Sequence, residues 1–278
     1  MEWYWILAIV LAALFAILFS VYLFLVAPGR KRGEMERFKT VSYAHRGLHG
    51  EGRAENSLSA FRAAVEAGFG IELDVRLSGD GELVVFHDDT LDRVTDASGR
   101  VDEKSAEELS QIKLCGTEDS VPTFSEVLKL VDGRVPLLVE IKESAGKYGA
   151  TKKTIELLRD YKGEFIIESF NPLALSLVKK EMPNVLRGFL STSFLKEEKY
   201  RGDIKYFFLQ NLLFNFFCRP DFISYDHTAY KNLSLRFVRA FFKTATICWT
   251  VKSEKDEELA YKHGFDGVIF ENYIPGKR

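Results

Sequence analysis

The sequence predicts a (β/α)8 barrel preceded by one membrane-spanning helix, and three observations carry that reading. Apolar, strand-like runs fall at 41–45, 71–75, 136–142, 165–169, 186–190, 222–226, 246–251 and 267–271, which makes eight. Helical patterns separate most of them, and strands that alternate with helices build a parallel sheet. Polar residues recur at the C-terminal ends of these runs, where barrel sites lie: His45, Glu72 with Asp74, Glu140 with Lys142, Trp249 and Glu271.

The first 28 residues stand apart. Trp3 to Ala27 carries no charged side chain and has about the length a helix needs to cross a bilayer. An uncleaved anchor is favoured over a signal peptide. The opening residues lack Lys or Arg and carry Glu2, and the apolar run is long for a signal core. Trp3, Tyr4 and Trp5 would form an aromatic belt at one interface. Arg30, Lys31, Arg32, Arg37 and Lys39 follow the other end. Positive charge on that side alone predicts a single-pass protein of the cell membrane, with the barrel in the cytoplasm and the lipid bilayer as a partner. Residues 29–40 then read as a basic linker and 41–278 as the barrel. A net charge of −2 gives no argument for nucleic acid. Cys115, Cys218 and Cys248 cannot all pair and lack metal spacing, so they read as reduced, buried thiols.

Within the barrel, Asn56 or Ser57 caps a helix with Leu58, Phe61 and Val65 on its apolar face, and Gly68 closes it. The next strand is Ile71-Glu72-Leu73-Asp74-Val75. Ser78-Gly79-Asp80-Gly81 is a turn too short for a parallel crossover. Leu83 to His87 must therefore return antiparallel, which brings His87 back beside Glu72 and Asp74. This return opens an insertion over about 83–135. Two helices in that stretch have capping-box spacing, Ser105 with Glu108 and Thr123 with Glu126. Further helices are predicted at 151–161, 172–181 and 254–263.

Strand periodicity puts Glu72 and Asp74 on one face. Two carboxylates on an otherwise apolar strand are costly to bury unless neutralised. A divalent cation is the simplest neutraliser; oxygen ligands suit Mg²⁺ or Ca²⁺, and Mn²⁺ also accepts them. Glu140 on its own strand repeats the design. A solvated polar face is the plain reading of either strand alone, and the conjunction with His45 and His87 favours a metal site. Two histidines beside such a site read as proton-transfer groups. Arg46 and Lys142 could simply pair with the carboxylates beside them, and as a planar fork and a point charge they could also meet an anionic ligand. His49, His227 and His263 lack such a context and read as structural. Trp249 is either core or a wall of the substrate pocket. Tyr206 to Phe217 is an apolar stretch too short to span a bilayer. It is either a buried helix or a lip that dips into lipid, flanked by Arg201, Lys205 and Arg219. Arg236, Arg239 and Lys243 with Phe237, Phe241 and Phe242 would widen that surface.

His45-Arg46-Gly47, Glu55-Asn56, Glu72-Leu-Asp74-Val, His87-Asp88, Val121-Pro122-Thr123, Glu140-Ile-Lys142, Cys248-Trp-Thr-Val251 and the Gly264 to Ile269 segment together resemble the glycerophosphodiester phosphodiesterases over about 41–275. The resemblance implies a metal-dependent TIM barrel with a small insertion after the second strand. It matches Glu72, Asp74 and Glu140 to metal ligands, His45 and His87 to the acid and base, and Arg46 and Lys142 to phosphate-holding groups. Glu55 and Asn56 match a motif usually preceded by proline, where Ala54 stands here; with Trp249 they are assigned to substrate binding. Lys252 replaces a usual Asn, and Glu271-Asn272 a usual Thr-Asp pair, both of which bear on selectivity. The implied reaction converts a glycerophosphodiester to an alcohol and glycerol phosphate at a membrane surface. A lysophospholipase D acting on lysophospholipids, a sphingomyelinase-D-like transferase and a catalytically silent, membrane-tethered lipid-binding module are the competing readings.

Overall fold

A computed structural model describes residues 2–29, 31–50, 52–114, 116–143 and 146–276. Arg30 and Cys115 lie outside the described residues, as do the side chains of Glu2 and Arg32. The described strands are β1 (Ser42–Ala44), β2 (Gly70–Leu77), β3 (Leu83–Val85), β4 (Leu137–Ile141), β5 (Phe165–Ser169), β6 (Arg187–Ser191), β7 (Phe222–Asp226), β8 (Ala245–Val251) and β9 (Gly267–Phe270). All but β3 run parallel and neighbour one another in chain order. β1 pairs with both β2 and β9, which closes an eight-stranded barrel. The fold class read from the sequence is thus the one observed.

β3 returns antiparallel along the overhanging end of β2, with Val75 opposite Val85 and Leu77 opposite Leu83. The short turn at 78–81 dictated this geometry. The insertion beyond it has its own small core, which includes Val84, Phe86, Leu91, Leu109 and Val121. It is shorter than 83–135, because the helix Phe124–Val131 buries Phe124, Val127 and Val131 in the main core instead.

The helices are α1 (Glu2–Val26), α2 (Arg32–Lys39), α3 (Leu58–Ala67), α4 (Ala106–Ser110), α5 (Phe124–Val131), α6 (Gly149–Arg159), α7 (Pro172–Glu181), α8 (Ile204–Gln210), α9 (Asn215–Cys218), α10 (Leu233–Phe242) and α11 (Glu254–Lys262). Ser57 caps α3, and Gly68, at φ +77°, ends it in the left-handed region. Both predicted capping boxes form, on α4 and α5.

Residues 29–40 are not simply a linker. Met35 and Phe38 on α2 are buried with Tyr43, Leu138, Ile166, Phe222, Ile247 and Ile269, the apolar inner layer of the barrel floor. Their three-residue spacing puts both on one helix face, a signal masked by the surrounding charges.

Trp3–Val26 of α1 is long and apolar enough to cross a membrane. Its last turns lie against the barrel. Asn215 Nδ2 donates to the Val26 carbonyl at 2.9 Å, and Arg219 Nη1 to those of Phe24 and Ala27 at 2.8 and 3.0 Å. The Tyr22 hydroxyl donates to Ser234 Oγ at 3.1 Å.

Candidate active site

Alternate residues of each barrel strand face inward, and along several strands the inward positions change from apolar to polar toward the C-terminal end. Tyr43 gives way to His45, Leu138 to Glu140, Ile166 to Glu168, Ile247 to Trp249 and Ile269 to Glu271. On β2 the polar layer is Glu72 and Asp74. Parallel register sets Asp74 beside Glu140, and Glu140 beside Glu168.

Glu72, Asp74 and Glu140 each present a carboxylate oxygen within 4.8 Å of the other two, and all three are buried. Lys142 Nζ lies 3.0 Å from Asp74 Oδ1 and 2.6 Å from Glu140 Oε1. Lys142 Nζ is thus shared between the two carboxylates. Arg46 Nε sits 3.3 Å from Asp74 Oδ2, and the Arg46 amide donates to Glu72 Oε2 at 2.9 Å. Burial pushes the Glu72 carboxyl well above its usual value, and Asp74 and Glu140 add to the shift. Burial likewise lifts Glu140 to about 7 against the pull of Lys142. For Asp74 burial is outweighed by Lys142, His87 and Arg46, which together hold it low. Four buried carboxyls, counting Glu168, thus face two fixed cations. An oxygen-only donor set short of positive charge fits a hard divalent cation.

Local backbone geometry holds these groups. Arg46 and Asn56 both have φ of +55°, a left-handed conformation that a non-glycine residue adopts at some cost. Gly47 follows at φ +81°, and a Cβ there would lie 2.9 Å from the Phe61 ring and 3.0 Å from Ala60. The tight turn needs glycine on both counts. Asn56 is buried, with its Nδ2 donating to Asp74 Oδ2 at 2.8 Å and its Oδ1 accepting from the Asp74 amide at 3.3 Å. Glu55 bridges Arg46 and Arg93, at 2.7 Å to each. In the structure, then, Glu55 and Asn56 contact Arg46 and Asp74 rather than the cavity.

His45, Arg46, Glu72, His87, Glu140, Lys142 and Trp249 line one cavity of about 100 Å³. Each histidine is oriented by a carboxylate. Glu271 Oε2 lies 2.7 Å from His45 Nδ1, and Asp88 Oδ1 lies 2.5 Å from His87 Nδ1. The hydrogen bond from His45, with help from Lys252, holds Glu271 down at about 2. Burial tends to raise Asp88, but Arg93 and His87 keep it low. Ionised carboxylates only accept, so both Nδ1 atoms carry the proton and both Nε2 atoms are left to exchange one. Burial lowers both imidazoles, His87 to about 4.

Sequence reasoning passed over Glu168 and Phe170. Glu168 is buried in the cavity wall, and its carboxyl is raised by burial first and by Glu140 second. Its position one inward step beyond Ile166 was the available signal. Phe170 packs edge-on against Trp249 at 5.8 Å between ring centres. Cys218 and Cys248 are buried and unpaired, and burial pushes the Cys218 thiol up to about 12.

Residues 45–274 match the model of the glycerophosphoryl diester phosphodiesterase family. A glycerophosphodiester phosphodiesterase of Caldanaerobacter subterraneus is 34% identical over 246 residues, covering 83% of this chain and 93% of the relative. A phosphodiesterase from Oleispira antarctica, solved with the product sn-glycerol-3-phosphate, superposes with a TM-score of 0.70 at 24% identity, over 84% of this chain and 94% of that one. The glycerophosphodiester phosphodiesterase of Thermotoga maritima gives a TM-score of 0.64 at 27% identity, covering 83% and 94%. This chain belongs to the glycerophosphoryl diester phosphodiesterase family.

Proposed function

We propose that this protein is a membrane-tethered, divalent-metal-dependent glycerophosphodiester phosphodiesterase. The phosphodiesterase activity follows from family membership. The observation that carries the rest is the convergence of Glu72, Asp74 and Glu140 at a cavity lined by Glu72, Glu140 and two carboxylate-oriented histidines. The three carboxylates would hold the cation, with Mg²⁺ or Ca²⁺ the best match to their oxygens and Mn²⁺ also accommodated. When bound, the ion supplies positive charge to the phosphate oxygens.

The chain's own groups account for the remaining chemistry. Lys142 and Arg46 orient the phosphodiester as a point charge and a planar fork. One imidazole takes a proton from the attacking oxygen, of water or of the substrate's own glycerol hydroxyl, as that oxygen bonds to phosphorus; a cyclic phosphate formed by the hydroxyl is then opened by water to the monoester. The other gives a proton to the alkoxide oxygen as its bond to phosphorus breaks. The negative charge of the substrate favours the protonated form that the acid requires. Trp249 and Phe170 wall the cavity against solvent.

Tethering is supported by the length of α1 and by the barrel groups that its last turn satisfies, Asn215 and Arg219 among them. Lys31, Arg37 and Lys39 on the barrel side favour a cytoplasmic catalytic domain. Phosphorus NMR of glycerophosphocholine incubated with the full chain tests the reading. Mg²⁺, Ca²⁺ or Mn²⁺ should convert the diester signal to that of a glycerol phosphate monoester, and EDTA should prevent it. A diester that persists with every ion, or is cleaved equally in EDTA, would contradict the proposal.

A further inference from the structure

Beside the catalytic mouth lies a second, wider cavity of about 870 Å³. The two share Glu140, Lys142 and Phe170, so the wide cavity begins where the phosphate is to be held. An apolar stretch of its lining comes from Leu173 on α7, Leu209 on α8, and Phe214 and Phe217 in and before α9, with Lys205 and Tyr206 beside it on α8. Leu173 and Phe217 are 44% and 37% exposed, which leaves that end open.

The same short helix that supplies Phe217 holds the end of α1. Asn215 bonds to the Val26 carbonyl, and the Phe216 ring lies 5.8 Å from that of Phe24. One end of the groove is thus fixed at the phosphate-holding lysine, and the other opens where the membrane-spanning helix joins the barrel. Ile204 and Phe207, 71% and 44% exposed, continue the apolar surface along α8. A purely polar diester would leave this apolar stretch bare. A molecule with a phosphodiester head and one long hydrocarbon tail matches both ends.

We infer that the groove is an acyl-chain channel, and that the preferred substrates are single-chain glycerophospholipids drawn from the bilayer beside α1. This rests on the phosphodiesterase reading above and narrows its substrate class. The tail lies along Leu209, Phe214 and Phe217 while the diester reaches Lys142.

The test uses the full chain in detergent micelles, with glycerophosphocholine and a series of lysophosphatidylcholines of increasing chain length. For the wild type, kcat/KM should rise with each added methylene by up to about fourfold until the groove is filled. Leu173→Asp, an exposed change on the first turn of α7, should lower kcat/KM for the long-chain lipid by about tenfold or more. The same variant should leave glycerophosphocholine turnover unchanged, which also reports that it folds. Glycerophosphocholine cleavage with no gain along the series overturns the channel and leaves the phosphodiesterase reading standing. An equal loss on both substrates in Leu173→Asp also overturns it, and no cleavage of either substrate overturns both readings.

Discussion

Glu271 Oε2 accepts a hydrogen bond from His45 Nδ1 at 2.7 Å, across the seam where the last barrel strand meets the first. Glu271-Asn272 stands where the family resemblance leads one to expect Thr-Asp, and in this chain the carboxylate at 271 orients the imidazole. Lys252, the other departure, lies 3.2 Å from Glu271 Oε1. The two unusual residues therefore form one unit behind His45. Glu271→Ala should lower kcat about 10–10³-fold with little change in KM, because the imidazole loses its tautomer and orientation. Glu271→Gln keeps an acceptor oxygen but adds a donor, so the tautomer is no longer fixed and most of the rate should still be lost. Steady-state kinetics on glycerophosphocholine checks both.

Cation binding should stabilise the fold as well as support turnover. At about a hundredfold excess over its dissociation constant an ion adds about 2.7 kcal/mol, or about 5–10 °C in Tm for a chain of this size. Differential scanning fluorimetry with and without Mg²⁺, Ca²⁺ or Mn²⁺ reads this shift. Glu140→Gln and Glu72→Gln should each abolish most of it. A shift that survives both variants would place the ion elsewhere.

Asn56 ties down Asp74 through both atoms of its amide. Asn56→Ala leaves a buried carboxylate oxygen and a backbone amide without these partners, at about 1–3 kcal/mol. Cation affinity should fall about 10–100-fold, as for other groups that orient a ligand. Urea denaturation and metal titration measure the two effects separately. Unchanged affinity would show that Asp74 needs no such support.

The fold was readable because most strands are short apolar runs, as Ile71, Leu73 and Val75 on β2 show, and because a four-residue turn admits only one return path for β3. The clustered acids were readable for a related reason: a carboxylate on a core strand has few inexpensive explanations. Met35 and Phe38 were missed because charge dominates their octet, although the barrel floor needs both side chains. Glu168 was missed because it sits in no spaced motif. Only the inward alternation after Ile166 marks it. Orientation by Asp88 and Glu271 depends on side-chain geometry across distant segments, which spacing along the chain does not encode.

His87 gives the site a pH signature. Burial holds its folded-state value at about 4, below the unfolded value of about 6.5. The unfolded chain therefore binds more protons between these limits, and stability falls as pH drops through that window. His87→Asn should show a shallower loss between pH values of about 6.5 and 4. Urea midpoints in EDTA for both proteins make the comparison, and parallel curves would remove His87 as the source.

The central claim is that two imidazoles move protons beside a carboxylate-held cation. Its most direct test is turnover of glycerophosphocholine, with saturating divalent ion, by wild type, His45→Ala and His87→Ala, each shown to fold by circular dichroism. The account predicts a loss of about 10²–10⁴ in kcat for each variant. Near-full turnover in both folded variants would contradict it.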